Sequence, residues 1–179
     1  MSEPFVVAFV PGVTPGKWER IWRERMPRSV LEVRPLPQDA ALAALRDGRA
    51  HMALLRDVTA DDELHAIPLY REQPVVVAPK DHPVAAFDEL ALADLDGETV
   101  LPGQGADTVE LVAANVGLAV MPMSVARAHS RRDVVARPLT DAADTGISLA
   151  WPRASDDPRI DTFIGIVRGR TANSSRSLR

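Results

Sequence analysis

The chain has 179 residues and contains no cysteine. Disulfides, thiolate nucleophiles and cysteine metal sites are therefore excluded together. Lysine is nearly absent as well, because Lys17 and Lys80 are the two lysines among 21 basic residues. This preference for arginine, with abundant Ala, Val, Asp and Pro, is typical of a protein encoded by a GC-rich bacterial genome.

Long apolar runs are also missing. No stretch is long enough to cross a membrane, and the opening MSEPFVV is too short and too acidic for a signal peptide. We therefore expect a cytoplasmic protein. The net charge of −4 gives no general reason for nucleic-acid binding by the body of the chain. With 46% hydrophobic and 26% charged residues, the composition predicts one globular domain, or one domain folded as two lobes.

The motifs of common catalytic sites are incomplete or absent. A phosphate-binding loop reads G-x-x-x-x-G-K-[ST], whereas here only three residues separate Gly12 from Gly16, and Trp18 follows Lys17. This spacing, and the missing hydroxyl for magnesium, argue against a nucleoside triphosphate site. No G-x-S-x-G nucleophile elbow occurs, and the histidines show no pair at metal-ligand spacing. We therefore predict no catalytic residue, no cofactor, no metal and no enzymatic activity.

The first 56 residues predict a parallel β-α-β-α-β arrangement. The apolar run 5–10 ends at Pro11-Gly12 and indicates a buried strand. Thr14 then reads as a helix cap and Pro15 as the first helical residue. The expected elements are a helix at 17–26, a strand at 30–36, a helix at 39–47 and a strand at 51–55, joined by right-handed crossovers.

The remainder predicts further short elements of both kinds. Strands are expected at 64–70, 74–78, 99–101, 118–121, 134–139 and 147–151, and helices at 87–95, 108–115, 124–129 and 161–168. The run Asp61-Asp62-Glu63 predicts a solvated loop. The arginine-bearing segment 171–179 is expected to be a disordered tail, with binding of nucleic acid or an acidic partner as the alternative.

Two features near the N-terminus leave alternatives open. Thr14 and the free N–H groups of the following helix lie above the carboxyl end of the first strand, a position that favours an anion. A helix cap without a ligand is the other interpretation. Trp18 and Trp22, at helical spacing, are either core side chains or a surface for a partner.

Several longer phrases resemble the effector-binding (substrate-binding) domain of LysR-type transcriptional regulators. They are FVVAFVPG, LAALRDGRAHMALLRD, LHAIPLYREQPVVVAPKDHPVA, LADLDGETVL and ELVAANVGLAVMPMSVA. The most specific are the apolar strand followed by PKDHP and the LVAxxxGxAVMPxSVA pattern. The closing IDTFIGIVRGRTANSSR looks like a variant found among actinobacterial members. The resemblance extends from Phe5 to about Arg170.

This resemblance implies an α/β, periplasmic-binding-protein-like (type 2) fold with two lobes and mainly parallel sheets. The effector-binding domain would cover 1–170, with lobe I at about 1–72 and 123–170 and lobe II at about 73–122. This agrees with the β-α-β pattern and with the rule that ligands lie at the carboxyl ends of strands.

The resemblance also implies a small-molecule effector, often a small carboxylate, bound between the lobes. Thr14 would supply a hydroxyl at the first strand–helix turn. The ligand-binding positions it implies are Val13, Thr14, Gly16, Arg56, Asp57, Gln104, Thr108, Met121 and Pro122. Trp18 and Trp22 are the expected interface residues, and a homodimer is one expected assembly.

Two departures from the family's pattern change these expectations. The family's helix-turn-helix has no room before the strand at Phe5, so direct DNA binding by this chain is not expected. Between Leu101 and Val109 the family usually carries several tens of additional residues, so lobe II is expected to be reduced. The predicted function is non-catalytic ligand sensing linked to transcription regulation. The alternatives are a protein-interaction module that has lost ligand binding, or a DNA-associated regulator acting through a partner.

Overall fold

The computed structural model describes residues 3–169 and divides the chain into two compact units. The first unit joins the residues up to Tyr70 with those from Gly146 onward, and the second unit is Arg71–Thr145. The expected tail at 171–179 lies outside the described residues. Each unit has its own sheet; the first unit has one core, and the second unit has two, one on each face of its sheet.

Nine strands and five α-helices form the described part of the chain. In chain order they are β1 (Phe5–Phe9), α1 (Gly16–Arg25), β2 (Leu31–Pro35), α2 (Gln38–Arg46), β3 (Met52–Arg56), β4 (Leu64–Glu72), β5 (Pro74–Pro79), β6 (Val100–Leu101), α3 (Ala106–Ala113), β7 (Leu118–Pro122), α4 (Met123–Ala128), β8 (Val134–Pro138), β9 (Thr145–Pro152) and α5 (Arg159–Val167).

The first sheet has the strand order β2-β1-β3-β9-β4. β1 runs parallel to both β2 and β3, as the β-α-β-α-β pattern predicts. β9 then pairs antiparallel with β3, so the sheet is mixed. The parallel part brings the carboxyl ends of β1, β2 and β3 to one edge.

The second sheet has the order β6-β7-β5-β8 and differs from the expected mainly parallel arrangement. β6 and β7 are parallel, but β5 pairs antiparallel with both β7 and β8. The apolar run of β5 is buried because cores cover both of its faces, with Val75 and Val77 on one side and Val76 and Ala78 on the other. A continuous apolar run is typical of any strand covered on both faces, so it did not distinguish the two orientations.

The return to the first unit lies later than the expected boundary after Pro122. β8 pairs with β5, and Leu139 packs with Val76 and Ala78 in one of the two cores of the second unit, so residues up to Thr145 belong to that unit. The predicted end of the first segment of lobe I, at about residue 72, lies two residues after Tyr70, where the first unit ends in the structure.

Three aromatic rings form the centre of the first core. The Trp22 ring stacks on Phe5, with 5.0 Å between ring centroids, and Phe163 of α5 contacts both rings. Trp22 is 1% exposed, and its indole Nε1 donates a hydrogen bond of 2.8 Å to the Ser29 carbonyl. Trp22 is therefore a core residue, and the expectation that it forms an interface is wrong. Trp18 is half-buried and packs against the same core.

Two local predictions are corrected by the backbone. Pro15, rather than Thr14, is the cap of α1, with φ −78° and ψ −7° and no side-chain cap hydrogen bond. Where a helix was expected at 87–95, the structure has one short 3-10 turn, Leu92–Leu95, and a second such turn, Pro83–Ala86, lies just before this range. The Asp94 and Asp141 carboxylates accept hydrogen bonds from the N–H groups of Ala91 and Leu92, which favours a turn over a continuous helix.

Candidate functional site

The predicted ligand-binding residues of the first unit lie at the edge of the first sheet where β1 and β3 end. β1 leads into the loop Pro11 to Pro15, and β3 leads into Arg56 and Asp57. The two strand ends are joined directly, because the Val10 N–H donates a 3.1 Å hydrogen bond to the Leu54 carbonyl. Parallel strands end at the same edge, and this is where ligands bind in open α/β sheets.

Thr14 and Gly16 lie on the exposed side of this loop. Gly16 begins α1, and the first N–H groups of a helix have no acceptor within it. The helix dipole adds a partial positive charge at the same end, so this position favours an anion. Val13 is different, because its side chain is buried in the first core and stabilises the loop from beneath.

Arg56 connects three pieces of this edge. Its main chain is held by the Gln38 side chain: the Arg56 N–H donates to Gln38 Oε1 at 3.0 Å, and Gln38 Nε2 donates to the Arg56 carbonyl at 2.6 Å. Its Nη1 donates to the Pro11 carbonyl at 2.7 Å. The guanidinium therefore fixes the loop that carries Thr14.

Asp57 makes a two-point contact with Gly146 at the start of β9. Asp57 Oδ1 accepts a hydrogen bond of 2.7 Å from the Gly146 N–H, and the Asp57 N–H donates one of 2.8 Å to the Gly146 carbonyl. The Asp57 backbone has φ +50°, a region that non-glycine residues seldom adopt. The carboxylate thus binds the protein itself at this edge.

The two predicted positions of the second unit lie around the N-terminus of α3. Gln104 is exposed in the loop before Gly105, the cap residue of the helix. Thr108 is only 7% exposed, and its hydroxyl donates a long hydrogen bond of 3.5 Å to the Pro102 carbonyl. Gly103 has φ +96°, and a Cβ there would lie 2.7 Å from the Thr108 hydroxyl, so this turn requires glycine.

Met121 and Pro122 are both buried. Met121 packs in the second core with Val75 and Val112, and Pro122 ends β7 and precedes α4. The resemblance places both side chains at the ligand, and this assignment stays a prediction. Their burial stabilises the second sheet.

Sequence reasoning missed three residues that shape the two edges: Gln38, Gly103 and Gly146. Gln38 carried a usable signal, because it follows Pro37 directly and begins a helix at the carboxyl end of β2. Gly146 carried none, because its partner Asp57 is 89 residues away in the chain.

A charge pair with restricted solvent access lies elsewhere in the first unit. Arg159 donates to both Asp157 oxygens, with a shortest distance of 2.6 Å, and the two side chains are 20% and 18% exposed. The hydrogen bond from Arg159 lowers the pKa of the Asp157 carboxyl. This pair belongs to the start of α5 and is a structural feature.

Residues 3–169 contain no group of three or more His, Asp or Glu side chains placed to hold a metal ion. Within the same range, no helix combines the length and apolar character that crossing a membrane requires.

Comparisons with known proteins agree on one family. The family model described as the LysR substrate binding domain matches residues 16–108 and 103–172. The Hca operon transcriptional activator HcaR of Escherichia coli (strain K12) is 24% identical over an alignment 201 positions long, which covers 93% of this chain and 68% of that protein.

Solved structures show the same fold. The effector-binding domain of a BenM variant has a TM-score of 0.79 at 19% identity, covering 97% of both chains. The BenM effector-binding domain with its effector benzoate has a TM-score of 0.77 at 19% identity, covering 98% of this chain and 95% of that one. An H2O2-bound OxyR mutant of Corynebacterium glutamicum has a TM-score of 0.76 at 22% identity, covering 94% and 67%. Since the family model matches most of the chain, this protein belongs to the LysR substrate-binding domain family.

Proposed function

We propose that this chain is the non-catalytic, effector-sensing domain of a cytoplasmic LysR-type transcriptional regulator, and that its effector is a small carboxylate. Membership of the family supports the sensing role. One matched structure is described as the BenM domain with its effector benzoate, which gives an example of a carboxylate effector in this fold. The observation that carries the proposal for this chain is the exposed Thr14 beside the start of α1.

The chemistry of this position suits a carboxylate. A carboxylate accepts several hydrogen bonds at once. The donors proposed here are the Thr14 hydroxyl and the N–H groups of Gly16 and Lys17, because the N–H groups of Trp18 and Glu19 already donate to the Pro15 carbonyl. Hydrogen bonds to a charged acceptor contribute about 1.5–3 kcal/mol each, more than those between neutral groups. The Thr14 hydroxyl is therefore the side-chain donor whose loss should weaken binding most directly.

The test is Thr14→Val, which keeps the shape of the side chain and removes the donor. Binding would be measured by calorimetry and by thermal shift against benzoate and a panel of small aliphatic and aromatic carboxylates. We expect at least one carboxylate to stabilise the wild type, by about 2.7 kcal/mol at 100 times its Kd. For that compound, Thr14→Val should raise Kd by about tenfold or more.

Thr162→Val on α5 is the matched control, because it makes the same chemical change in the first unit but on another element. It should leave Kd unchanged. If no carboxylate raises the unfolding midpoint of the folded wild type, the sensing proposal fails. If one binds and Thr14→Val binds it equally well, the assigned position fails.

The reduction of the second lobe and a homodimeric state are also part of this proposal. The alignment with HcaR spans 201 positions, more than the 179 residues of this chain, so HcaR has residues without a counterpart here. That difference supports a shortened chain, and the two segments matched by the family model meet at residues 103–108, which supports placing the shortening in the second lobe. Sedimentation equilibrium over a range of concentrations would test the dimer, and a monomer at all concentrations would contradict it.

A further inference from the structure

The contact between Asp57 and Gly146 lies where the chain re-enters the first unit. Gly146 is the first residue of the returning segment, and both its N–H and its carbonyl are bound by Asp57. A two-point contact fixes the direction of β9 at its start as well as its position. The contact therefore acts together with the pairing of β9 with β3, which begins at the next residue pair, Arg56 and Ile147.

The backbone of Asp57 is adapted to this contact. Its φ of +50° places it in the left-handed region, which Asn, Asp and Gly adopt most readily. Such conformations persist where the surrounding contacts determine them, and they occur preferentially at functional positions. The side chain of Asp57 is otherwise exposed, so burial does not explain the conformation.

The same dipeptide reaches the loop that carries Thr14. Arg56, the neighbour of Asp57, donates from Nη1 to the Pro11 carbonyl at 2.7 Å. The Gln38 side chain clamps the Arg56 main chain, so the dipeptide is held firmly between the two contacts. Hydrogen bonds from two consecutive residues therefore connect the Pro11 loop, through Arg56 and Asp57, to Gly146.

A second contact, within the second unit, joins the two ends of that unit. Arg71, at the start of that unit, donates from Nη2 to the Asp144 carbonyl at 2.9 Å, and its Nε lies 3.7 Å from the Asp144 carboxylate. The two segments that pass between the units are thus tied to each other within the second unit. The Asp57 contact holds the returning segment alone, on the side of the first unit.

We propose that Asp57 is a positioning residue, which couples the loop bearing Thr14 to the start of the returning strand β9, rather than a residue that contacts the effector. The proposal rests on the proposed function only where it assigns that loop to the effector. The coupling itself is a property of the free protein and is tested without a ligand.

The experiment is amide hydrogen exchange on the full chain, free of ligand, for the wild type, Asp57→Gly and Asp57→Asn. Asp57→Gly accepts the positive φ but removes the carboxylate, whereas Asn accepts the same φ and keeps an oxygen acceptor. In Asp57→Gly, the Gly146 amide should exchange about threefold to tenfold faster, as expected for the loss of one hydrogen bond. Residues 10–17 should also exchange faster, and Asp57→Asn should resemble the wild type.

Asp62→Gly is the matched control, because Asp62 is an exposed aspartate in the loop that follows. It should change exchange neither at Gly146 nor at 10–17. Unchanged protection of Gly146 in Asp57→Gly would overturn the contact as a restraint. Faster exchange at Gly146 without any change at 10–17 would overturn the coupling. Neither outcome depends on whether a carboxylate binds.

Discussion

Trp22 shows how much one side chain contributes to the first unit. It is buried between Phe5 and Phe163, and its indole N–H is satisfied by the Ser29 carbonyl. Replacing it by alanine removes a large aromatic contact and leaves a cavity. We expect Trp22→Ala to lower the free energy of unfolding by about 3–5 kcal/mol, as measured by urea denaturation.

Trp18→Ala is the control for this prediction, because Trp18 lies on the same helix and is half-buried. It should cost less, about 1–2 kcal/mol, in line with its smaller buried area. Equal losses in the two variants would contradict the assignment of Trp22 to the core. A loss of self-association in Trp22→Ala without a loss of stability would restore the interface interpretation.

The residues of the site show where sequence reasoning succeeded and where it stopped. Thr14 and Gly16 could be placed at the edge of the sheet because an apolar strand, a turn and a helix occur in direct succession. The roles of Arg56 and Asp57 could not be inferred, because their partners Pro11 and Gly146 are set by strand neighbours distant in the chain. Burial of Val13 and Met121 likewise depends on tertiary packing.

Helix α5 is anchored at its first turn by an ion pair that depends on pH. Arg159 binds Asp157 with two nitrogens, donates to the Glu3 carbonyl and lies over the Phe5 ring at 5.1 Å. The hydrogen bond from Arg159 lowers the pKa of Asp157, although burial opposes this shift. The ionised carboxylate therefore stabilises the attachment of α5 to β1.

The lowered pKa fixes the direction of the pH dependence. A carboxyl whose pKa is lower when folded stabilises the protein fully above its unfolded pKa, about 3.9, and loses this contribution as the pH falls through the folded value. Asp157→Asn should cost about 1–2 kcal/mol at pH 7, and the difference from the wild type should shrink below about pH 4. Urea denaturation at several pH values measures both effects.

Asp156→Asn provides the control, since Asp156 is the exposed neighbour. It should change stability little at any pH. A constant difference between Asp157→Asn and the wild type from pH 7 to pH 3 would show that the charge of Asp157 is not the stabilising feature.

At the level of elements, the sequence predicted whether a segment is a helix or a strand better than it predicted where the element begins and ends. The apolar runs of β1, β3 and β5 and the amphipathic pattern of α1 gave the correct elements because burial determines these patterns directly. The region 87–95 failed because Asp94 and Asp141 compete with helical hydrogen bonding, and Asp141 is 49 residues from its partner Leu92. Strand orientation in the second sheet failed because a doubly covered strand has no periodicity that indicates direction.

At the scale of the whole molecule, the two units differ in how the chain builds them. The second unit is continuous, with all four strands of its sheet and two cores of its own between Arg71 and Thr145. The first unit is discontinuous. β9 lies between β3 and β4 in its sheet, and α5 supplies Phe163 to its aromatic core, yet both follow the second unit in the chain.

Because of this difference, we expect the second unit to fold as a single fragment, whereas the first unit needs both of its chain segments. A fragment of residues 71–145 should fold with a cooperative thermal transition, although a domain of this size is only marginally stable. A fragment of residues 1–70 should not fold, because β3 and β4 lack the strand between them and Trp22 lacks Phe163. Joining 1–70 to 146–179 through about ten Gly and Ser residues should restore folding, since the missing strand and helix are then supplied.

Circular dichroism and amide NMR spectra show which of these three fragments are folded. A folded 1–70 fragment would show that β9 and α5 only add to an existing core, whereas an unfolded 71–145 beside a folded joined unit would show that the second core depends on the first.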